Sequence, residues 1–188
     1  MTGDHEMKPG HLSKQRRALV AAVLSAATAA ASAAIRISIW PWKGDKPYPQ
    51  GDPLPVDLST LPEGKLLTLN WQDKPVWVLR RSAADLATLS KKTAIELTDA
   101  ESKESVQPAT CRNPHRSIRP EIFVAMGLCT HQGCIPYLSE GKGFICPCHA
   151  SQYDLAGRVF DDGPAPANLV IPAYRFASDQ QLVIGEDA

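Results

Sequence analysis

The chain has 188 residues, of which 20 are basic, 20 are acidic and 44% are apolar. That length suffices for one domain with a short appendage, but not for two full catalytic domains. The balanced charge argues against a nucleic-acid partner, which requires a clustered basic face. The ordinary composition excludes collagen-like, coiled-coil and disordered chains.

A long uncharged segment lies near the start of the chain. It extends from Ala18 to Ile35, is rich in alanine, and is followed by Trp40 and Trp42. The run is at the short end of the length that spans a bilayer as a helix, and extension to the tryptophans would lengthen it. Tryptophans at that edge suit the headgroup region of a membrane. The pattern therefore predicts one N-terminal transmembrane helix over residues 18–42.

Basic residues before this run indicate its orientation. Because Lys14, Arg16 and Arg17 precede it, residues 1–17 are expected to stay in the cytoplasm and the remainder to be exported. The Arg16-Arg17 pair also fits a twin-arginine export signal. The triplet Ala29–Ala31 resembles a cleavage site, which makes a cleaved signal peptide the alternative. We favour an uncleaved anchor, since the apolar run exceeds the usual core of a signal peptide.

Residues 43–56 are dense in proline and glycine. Such a segment is not expected to continue a helix or to join a sheet, and it behaves as a semi-stiff, extended spacer. We therefore predict a flexible linker over residues 43–56 and a folded head over residues 57–188.

The head shows the short alternating segments that are typical of β-strands. Leu66–Trp71 and Val76–Arg80 flank a polar segment at residues 72–75, which predicts a β-hairpin. Ser82 and Asp85 are spaced to begin a short helix that continues to about Lys91. Further strands are predicted at Glu121–Leu128 and Gly143–Ile145, with a closing hairpin at Tyr174–Phe176 and Gln181–Ile184. Strands of this length and spacing predict an all-β head.

Two cysteine–histidine motifs carry the chemistry of the chain. They are CTHQGC at Cys129–Cys134 and CPCHAS at Cys146–Ser151. Glycines and prolines around them place each motif on a loop, where side chains can converge on an ion. Tight clusters of cysteine that interleave with histidine indicate a metal site before they indicate a disulfide scaffold. The fifth cysteine, Cys111, stands alone and is most simply a free thiol or a small buried residue.

Two metal assignments fit these residue types. A tetrahedral zinc site can use two cysteines and two histidines, but zinc fingers favour paired cysteines and paired histidines over mixed pairs. Zinc would also leave Cys134 and Cys148 without a role. A Rieske-type [2Fe–2S] cluster has two thiolates on one iron and two imidazoles on the other. Because each loop supplies one cysteine and one histidine in this way, the spacing favours the iron–sulfur cluster.

The segment from Glu121 to Asn168 resembles the cluster-binding fold of Rieske proteins from cytochrome bc complexes. The resemblance is carried by CTHQGC, by CPCHAS with the following Tyr153, and by the loop Gly163–Pro166. It extends more loosely over most of the chain. It implies an all-β fold: an antiparallel β-sandwich head with a small cluster-binding subdomain, whose loops lie at about residues 125–168, preceded by the N-terminal transmembrane helix.

The resemblance also implies a ligand set for one [2Fe–2S] cluster. Cysteine sulfurs would hold the inner iron and histidines the outer one, and the remaining two cysteines would form a disulfide between the loops. These are, in that order, Cys129 and Cys146, His131 and His149, and Cys134 with Cys148. A disulfide is chemically reasonable outside the cytoplasm.

Four neighbouring positions bear on the properties of the cluster. By the resemblance, the hydroxyls of Ser151 and Tyr153 hydrogen-bond a bridging sulfide and a ligand sulfur, which raises the reduction potential. Gln132 stands where the family commonly has leucine, and Ala150 stands where glycine is usual. These two departures bear on the potential and the quinone, but neither residue is a ligand.

The function that the resemblance implies is that of the iron–sulfur subunit of a quinol–cytochrome c oxidoreductase in a respiratory chain. His149 would face the quinol, with His131 as its exposed neighbour. The expected partners are cytochrome b and cytochrome c1-type subunits in a dimeric complex of the bacterial inner membrane, with the head on the periplasmic side. The alternative is the small Rieske electron-transfer subunit of a periplasmic oxidase such as arsenite oxidase, which binds no quinol.

Overall fold

The computed structural model describes residues 48–89 and 96–188 of the chain. The predicted cytoplasmic N-terminus, the predicted transmembrane anchor and the first residues of the predicted linker lie outside the described residues. Within the described ranges, no helix combines the length and the apolar character needed to cross a membrane.

The described part of the chain contains nine strands in three antiparallel sheets, which confirms the all-β prediction. The sheets have the orders β1-β9-β8, β2-β3-β4 and β5-β6-β7. The strands are β1 (Leu54–Asp57), β2 (Leu66–Trp71), β3 (Lys74–Arg80), β4 (Ile122–Met126), β5 (Tyr137–Ser139), β6 (Gly143–Ile145), β7 (Gln152–Tyr153), β8 (Tyr174–Phe176) and β9 (Gln181–Ile184). Helix α1 covers Ala83–Leu89, and a 3-10 helix covers Ala109–Cys111.

The predicted linker is wrong over its last residues, because they belong to a sheet. Leu54, Pro55 and Val56 pair with β9, and β1 lies at the edge of its sheet. An edge strand tolerates proline, since the missing N–H group can face away from the partner strand. Pro49 is also held, because its carbonyl accepts a hydrogen bond from the Ala173 amide at 2.8 Å. The head therefore begins by about residue 48 rather than at residue 57.

The first predicted hairpin is confirmed, with a tighter turn than expected. β3 begins at Lys74, so the turn consists of Gln72 and Asp73 alone. Both residues have positive φ angles, of 53° and 57°, as a two-residue turn that matches the twist of the strands requires. The predicted start of α1 is also confirmed. The Ser82 amide donates to the Asp85 carboxylate at 2.8 Å, and the Asp85 amide donates to the Ser82 hydroxyl at 3.2 Å.

One hydrophobic cluster draws on all three sheets. All five residues of β4 are buried, and β4 confirms the strand that the sequence predicts within Glu121–Leu128. The aromatic ring of Trp77 in β3 stacks on that of Phe144 in β6, with ring centroids 4.9 Å apart. This contact ties the small sheet β5-β6-β7 to the main core; its strands β5 and β6 precede the second cysteine–histidine motif in sequence, and β7 follows it.

Candidate metal centre

The two cysteine–histidine motifs form loops with the same backbone design. In the first loop, the Gly133 amide donates to the Cys129 carbonyl at 2.8 Å, and the Cys129 amide donates to the Cys134 carbonyl at 2.8 Å. In the second loop, the Ala150 amide donates to the Cys146 carbonyl at 3.0 Å, and the Cys146 amide donates to the Ser151 carbonyl at 2.9 Å. Each loop therefore closes on itself over the same six positions.

The fifth position of each loop has a left-handed backbone. The φ angle is 76° at Gly133 and 61° at Ala150. Glycine adopts this conformation freely, whereas a β-carbon there is strained. Ala150 is exposed, so its methyl group is not packed in the protein core. This is how the second loop accommodates the alanine that departs from the family pattern.

The predicted disulfide is present in the structure. It joins Cys134 of the first loop to Cys148 of the second, with an S–S distance of 2.05 Å and Cα atoms 6.5 Å apart. The sulfurs of Cys134, Cys146 and Cys148 also lie within 4.8 Å of one another. Because two of these three sulfurs are bonded to each other, this trio is not the ligand set. The disulfide instead fixes the two loops side by side.

The four predicted ligands come together as two like pairs. The free thiols of Cys129 and Cys146 are both buried and lie close enough for Cys129 to affect the pKa of Cys146. The imidazole rings of His131 and His149 lie with centroids 4.6 Å apart and nearly perpendicular planes. Burial raises the pKa of the Cys146 thiol, and its contact with the Cys129 thiol raises that pKa further.

One orphaned atom shows that these residues suit a bound metal group. The Nδ1 atom of His131 is buried and has no hydrogen-bond partner among the described residues, although buried ring nitrogens are normally paired. A metal bond would satisfy it. Two buried thiols and two imidazoles also form the mixed soft and nitrogen donor set of a Rieske-type cluster. The residues therefore fit the group.

Tyr153 contacts the first loop from the protein interior. Its ring is fully buried, and its hydroxyl lies 3.2 Å from the Cys129 sulfur and accepts a hydrogen bond from the Thr130 amide at 3.1 Å. Burial, and then the bond to Cys129, raise the pKa of this phenol well above its ordinary value. The phenol therefore stays protonated and is available as a donor to sulfur.

Ser151 joins the second loop to the proline-rich loop Gly163–Pro166. Its buried hydroxyl accepts a hydrogen bond from the Ala165 amide at 3.1 Å. A β-carbon at Gly163 would lie 2.7 Å from the Ser151 Cα, so only glycine permits this close approach. The role of the Ser151 hydroxyl toward a bridging sulfide stays a prediction.

Two further residues that the sequence singled out, Gln132 and Cys111, lie outside the set of four ligands. Gln132 is exposed at the tip of the first loop, beside His131. Cys111 is fully buried, and its thiol donates to the Tyr174 hydroxyl at 3.7 Å. Burial raises the pKa of this thiol. Cys111 is thus the small buried residue that its isolation in the sequence predicted.

Sequence reasoning missed three buried arginines, Arg81, Arg116 and Arg158. Arg158 forms a buried salt bridge with Asp154 at 2.7 Å, and the four-residue spacing of this pair was the available signal. The other two arginines bind backbone carbonyls of the segment that follows Tyr153. No local pattern in the sequence indicated that they would be buried.

Comparisons with known proteins agree with this geometry. The family model described as the Rieske [2Fe-2S] domain matches residues 55–175. The chain is 47% identical over 148 residues to the ubiquinol-cytochrome c reductase iron-sulfur subunit of Allochromatium vinosum, which covers 73% of this chain and 71% of the relative. It is 39% identical over 170 residues to the subunit of the same name from Rickettsia felis, which covers 87% and 90%.

A solved structure titled hyperthermophilic respiratory Complex III aligns with a TM-score of 0.44 and 22% identity, over 89% of this chain and 98% of that one. The family match covers more than half of the chain, and the identity to the named relatives is well above 30%. The chain therefore belongs to the Rieske [2Fe–2S] domain family, whose cofactor is a [2Fe–2S] cluster.

Proposed function

We propose that this chain is the iron–sulfur subunit of a quinol–cytochrome c oxidoreductase, which accepts an electron and a proton from quinol and passes the electron to a c-type cytochrome. One observation carries the proposal. Two loops cross-linked by Cys134–Cys148 present a buried thiol pair and an imidazole pair of which His149 is exposed, in a chain 47% identical to a ubiquinol-cytochrome c reductase iron-sulfur subunit.

The residues that would hold the cluster are the thiolates of Cys129 and Cys146 and the imidazoles of His131 and His149. When bound, the cluster supplies a one-electron carrier whose potential depends on hydrogen bonds to its sulfurs and on its solvent exposure. Both thiols are almost fully buried. The side of the site that the histidines form is the more open one, because His149 is exposed and His131 is half-buried.

His149 is the residue best placed to meet quinol. An imidazole that binds metal through one nitrogen keeps its second nitrogen for a hydrogen bond. The exposed ring of His149 offers that nitrogen to solvent, where it can accept the hydrogen bond of a quinol hydroxyl and then hold its proton. His131, whose Nδ1 is buried, is the less accessible of the two.

Tyr153 and Ser151 would set the potential high enough to oxidise a quinol. A hydroxyl that donates to sulfur stabilises the extra negative charge of the reduced state, which raises the potential. The Tyr153 hydroxyl already lies 3.2 Å from the Cys129 sulfur. Ser151 is buried beside Cys146 at the end of the second loop.

The complex would be membrane-bound, with cytochrome b and cytochrome c1-type subunits as partners and with two copies of each subunit. Residues 18–42 would form a single-pass anchor in a bacterial inner membrane, with the head on the periplasmic side. Because Pro49 and β1 are bound to the head, the tether between anchor and head would end by about residue 48. The relatives' shared name, ubiquinol-cytochrome c reductase iron-sulfur subunit, supports the partnership with further subunits of such an enzyme.

Purification of the whole complex from membranes through a tag after Ala188 tests the proposal. We expect b-type and c-type haem absorption and quinol-dependent reduction of cytochrome c, with activity lost in His149→Ala. A matched change at the surface, Gln180→Ala, should leave the activity unchanged. Recovery of a molybdenum subunit without b-type haem would favour the small subunit of a periplasmic oxidase and overturn the proposal.

A further inference from the structure

The turn that follows Tyr153 is bound by arginines from distant parts of the chain. Tyr153 pairs with Val159, and the Asp154 amide donates to the Arg158 carbonyl at 2.9 Å, so residues 153–159 form a tight hairpin. The tip of this hairpin, residues 155–157, is buried. Buried carbonyls require hydrogen-bond donors. Several carbonyl groups at the tip have their donors in other segments of the chain.

Arg116 supplies donors to the tip. Its Nη1 atom donates to the carbonyls of Ala156 and Gly157 at 3.1 and 3.2 Å. Its Nη2 atom donates to the Leu169 carbonyl at 2.8 Å, and its Nε atom donates to the Gln107 side chain at 2.8 Å. The guanidinium thus joins the hairpin to two other segments. Arg81 adds a bond of 3.3 Å to the Leu155 carbonyl.

The surroundings of Arg116 indicate that its planar set of hydrogen-bond donors matters more than its charge. Arg116 is fully buried, and within the described residues it forms no salt bridge. The carboxylates of Asp154 and Asp99 stabilise its charge without direct contact, and its own donors bind neutral oxygens. Its backbone has a φ angle of 49°, which strains any residue other than glycine. A planar guanidinium offers five donors in a fixed geometry that a lysine ammonium cannot reproduce.

The hairpin determines where the Tyr153 phenol lies. Tyr153 is paired with Phe144 on one side and with Val159 on the other, and its ring is fully buried, so its hydroxyl follows its backbone. That hydroxyl lies 3.2 Å from the Cys129 sulfur. A hydrogen bond to sulfur weakens steeply with distance and angle, so a small shift of the hairpin is enough to weaken it.

We propose that Arg116 is a positioning residue for the iron–sulfur centre: by binding the Ala156 and Gly157 carbonyls, it holds the Tyr153 phenol against the Cys129 sulfur and so raises the reduction potential. Gln107, whose side-chain oxygen accepts a hydrogen bond from the Arg116 Nε atom, helps to hold the guanidinium in place. The inference rests on the proposed ligand role of Cys129. It goes beyond that role in assigning control of the potential to a residue in the irregular segment before β4.

A double-mutant cycle tests the inference, with the midpoint potential of the full-length protein followed by electron paramagnetic resonance. Arg116→Lys keeps the charge and the backbone strain but removes the fork. We expect it to lower the potential by a substantial part of the shift caused by Tyr153→Phe. In the Tyr153→Phe background, the same change should have almost no effect, because no phenol remains to be positioned.

Three controls keep the result decisive. Arg119→Lys changes an arginine of the same segment that bonds Asp179 instead, and should leave the potential unchanged. If Arg116→Lys yields no folded protein, Gln107→Leu replaces it, with a smaller shift of the same sign expected. Thermal unfolding of each variant is recorded separately, since lost stability alone does not move the potential of molecules that remain folded.

Two outcomes overturn the inference while leaving the proposed function intact. One is a wild-type potential in Arg116→Lys or, where that variant does not fold, in Gln107→Leu. The other is an equal shift in the presence and absence of the Tyr153 hydroxyl, which would indicate a direct effect of the guanidinium field. A wild-type protein without the resonance spectrum of a Rieske cluster would overturn the proposed site, and this inference with it.

Discussion

The two cysteine–histidine loops share one backbone design and differ in what supports them. Both close through the same pair of hydrogen bonds, and both have a left-handed residue at the fifth position. The first loop rests on the buried phenol of Tyr153, which binds it at Cys129 and Thr130. The second loop is held at its last residue, Ser151, by the Ala165 amide.

The difference in support is matched by a difference in exposure. Residues 147–150 of the second loop are all exposed, whereas His131 and Cys134 of the first loop are half-buried. The better supported loop thus carries the less accessible histidine, and the loop with fewer supports carries the histidine proposed to meet quinol. The backbone design is therefore the same in both loops, and the difference in side-chain support goes with the difference in exposure of the two imidazoles.

The largest expected effect is loss of the cluster, and it should be equal in the two loops. Cys129→Ala and Cys146→Ala each remove one of two equivalent buried thiols, and each should abolish the binding of iron and sulfide. Chemical analysis of iron and acid-labile sulfide measures this. Cys111→Ala, which removes the buried thiol outside the loops, should retain the full cluster. A cluster retained by either loop variant would show that the pair of thiols is not the ligand pair.

Next in size is the effect of cutting the link between the loops. Cys134→Ala with Cys148→Ala opens a cross-link of sequence separation 14, and loss of a disulfide around a loop of about 15 residues costs about 3 kcal/mol of unfolding free energy. Hydrogen exchange should rise more in the second loop than in the first, because Tyr153 still holds the first. Wild-type protein in a reducing agent should behave in the same way, and the double variant should not respond to the agent. Equal loss of protection in both loops would contradict the asymmetry.

The sequence predicts most of the site because ligand chemistry is local. Each motif holds its cysteine and histidine within six residues, and tight spacing together with loop-forming residues indicates a metal site without knowledge of the fold. The disulfide between Cys134 and Cys148 was expected from the family resemblance and is observed. The support of Cys129 by Tyr153, also expected from that resemblance, appears as a contact of 3.2 Å.

Features that depend on distant pairing were not predictable. Leu54–Asp57 becomes a strand only because β9, more than 120 residues later, offers an edge, and its prolines alone indicate a linker. Arg116 lies in an irregular segment without periodicity, and its burial depends on carbonyls from residues 156, 157 and 169. Such residues are determined by the tertiary arrangement of hydrogen bonds, which no local spacing encodes.

A third, smaller effect compares the two hydroxyls that support the loops. Tyr153→Phe removes the acceptor of the Thr130 amide, and Ser151→Ala removes the acceptor of the Ala165 amide. An unsatisfied buried amide costs about 1–3 kcal/mol, and Tyr153 also contacts Cys129 and the Thr130 hydroxyl. We therefore expect the tyrosine variant to lose more unfolding free energy in denaturant titrations. Tyr137→Phe, at a half-exposed tyrosine, should be neutral, and a larger loss in Ser151→Ala than in Tyr153→Phe would reverse the proposed order of support.

The smallest expected effect lies at the fifth position, where the loops differ by one methyl group. Ala150→Gly relieves a left-handed alanine, which costs about 1–2 kcal/mol, but adds the unfolded-state entropy of glycine, about 0.5–1 kcal/mol. The balance predicts that Ala150→Gly increases the free energy of unfolding by about 0.5 kcal/mol, measured by denaturant unfolding.

Gly133→Ala should lower the free energy of unfolding by a similar amount. No atom within 4 Å would crowd its β-carbon, so only the backbone strain remains. Ala87→Gly, in helix α1, is the control. It should be destabilising, because glycine there increases the conformational entropy of the unfolded chain and relieves no backbone strain. If Ala150→Gly also destabilised the protein, contacts of the methyl group would outweigh the strain, and the two loops would not be equivalent at this position.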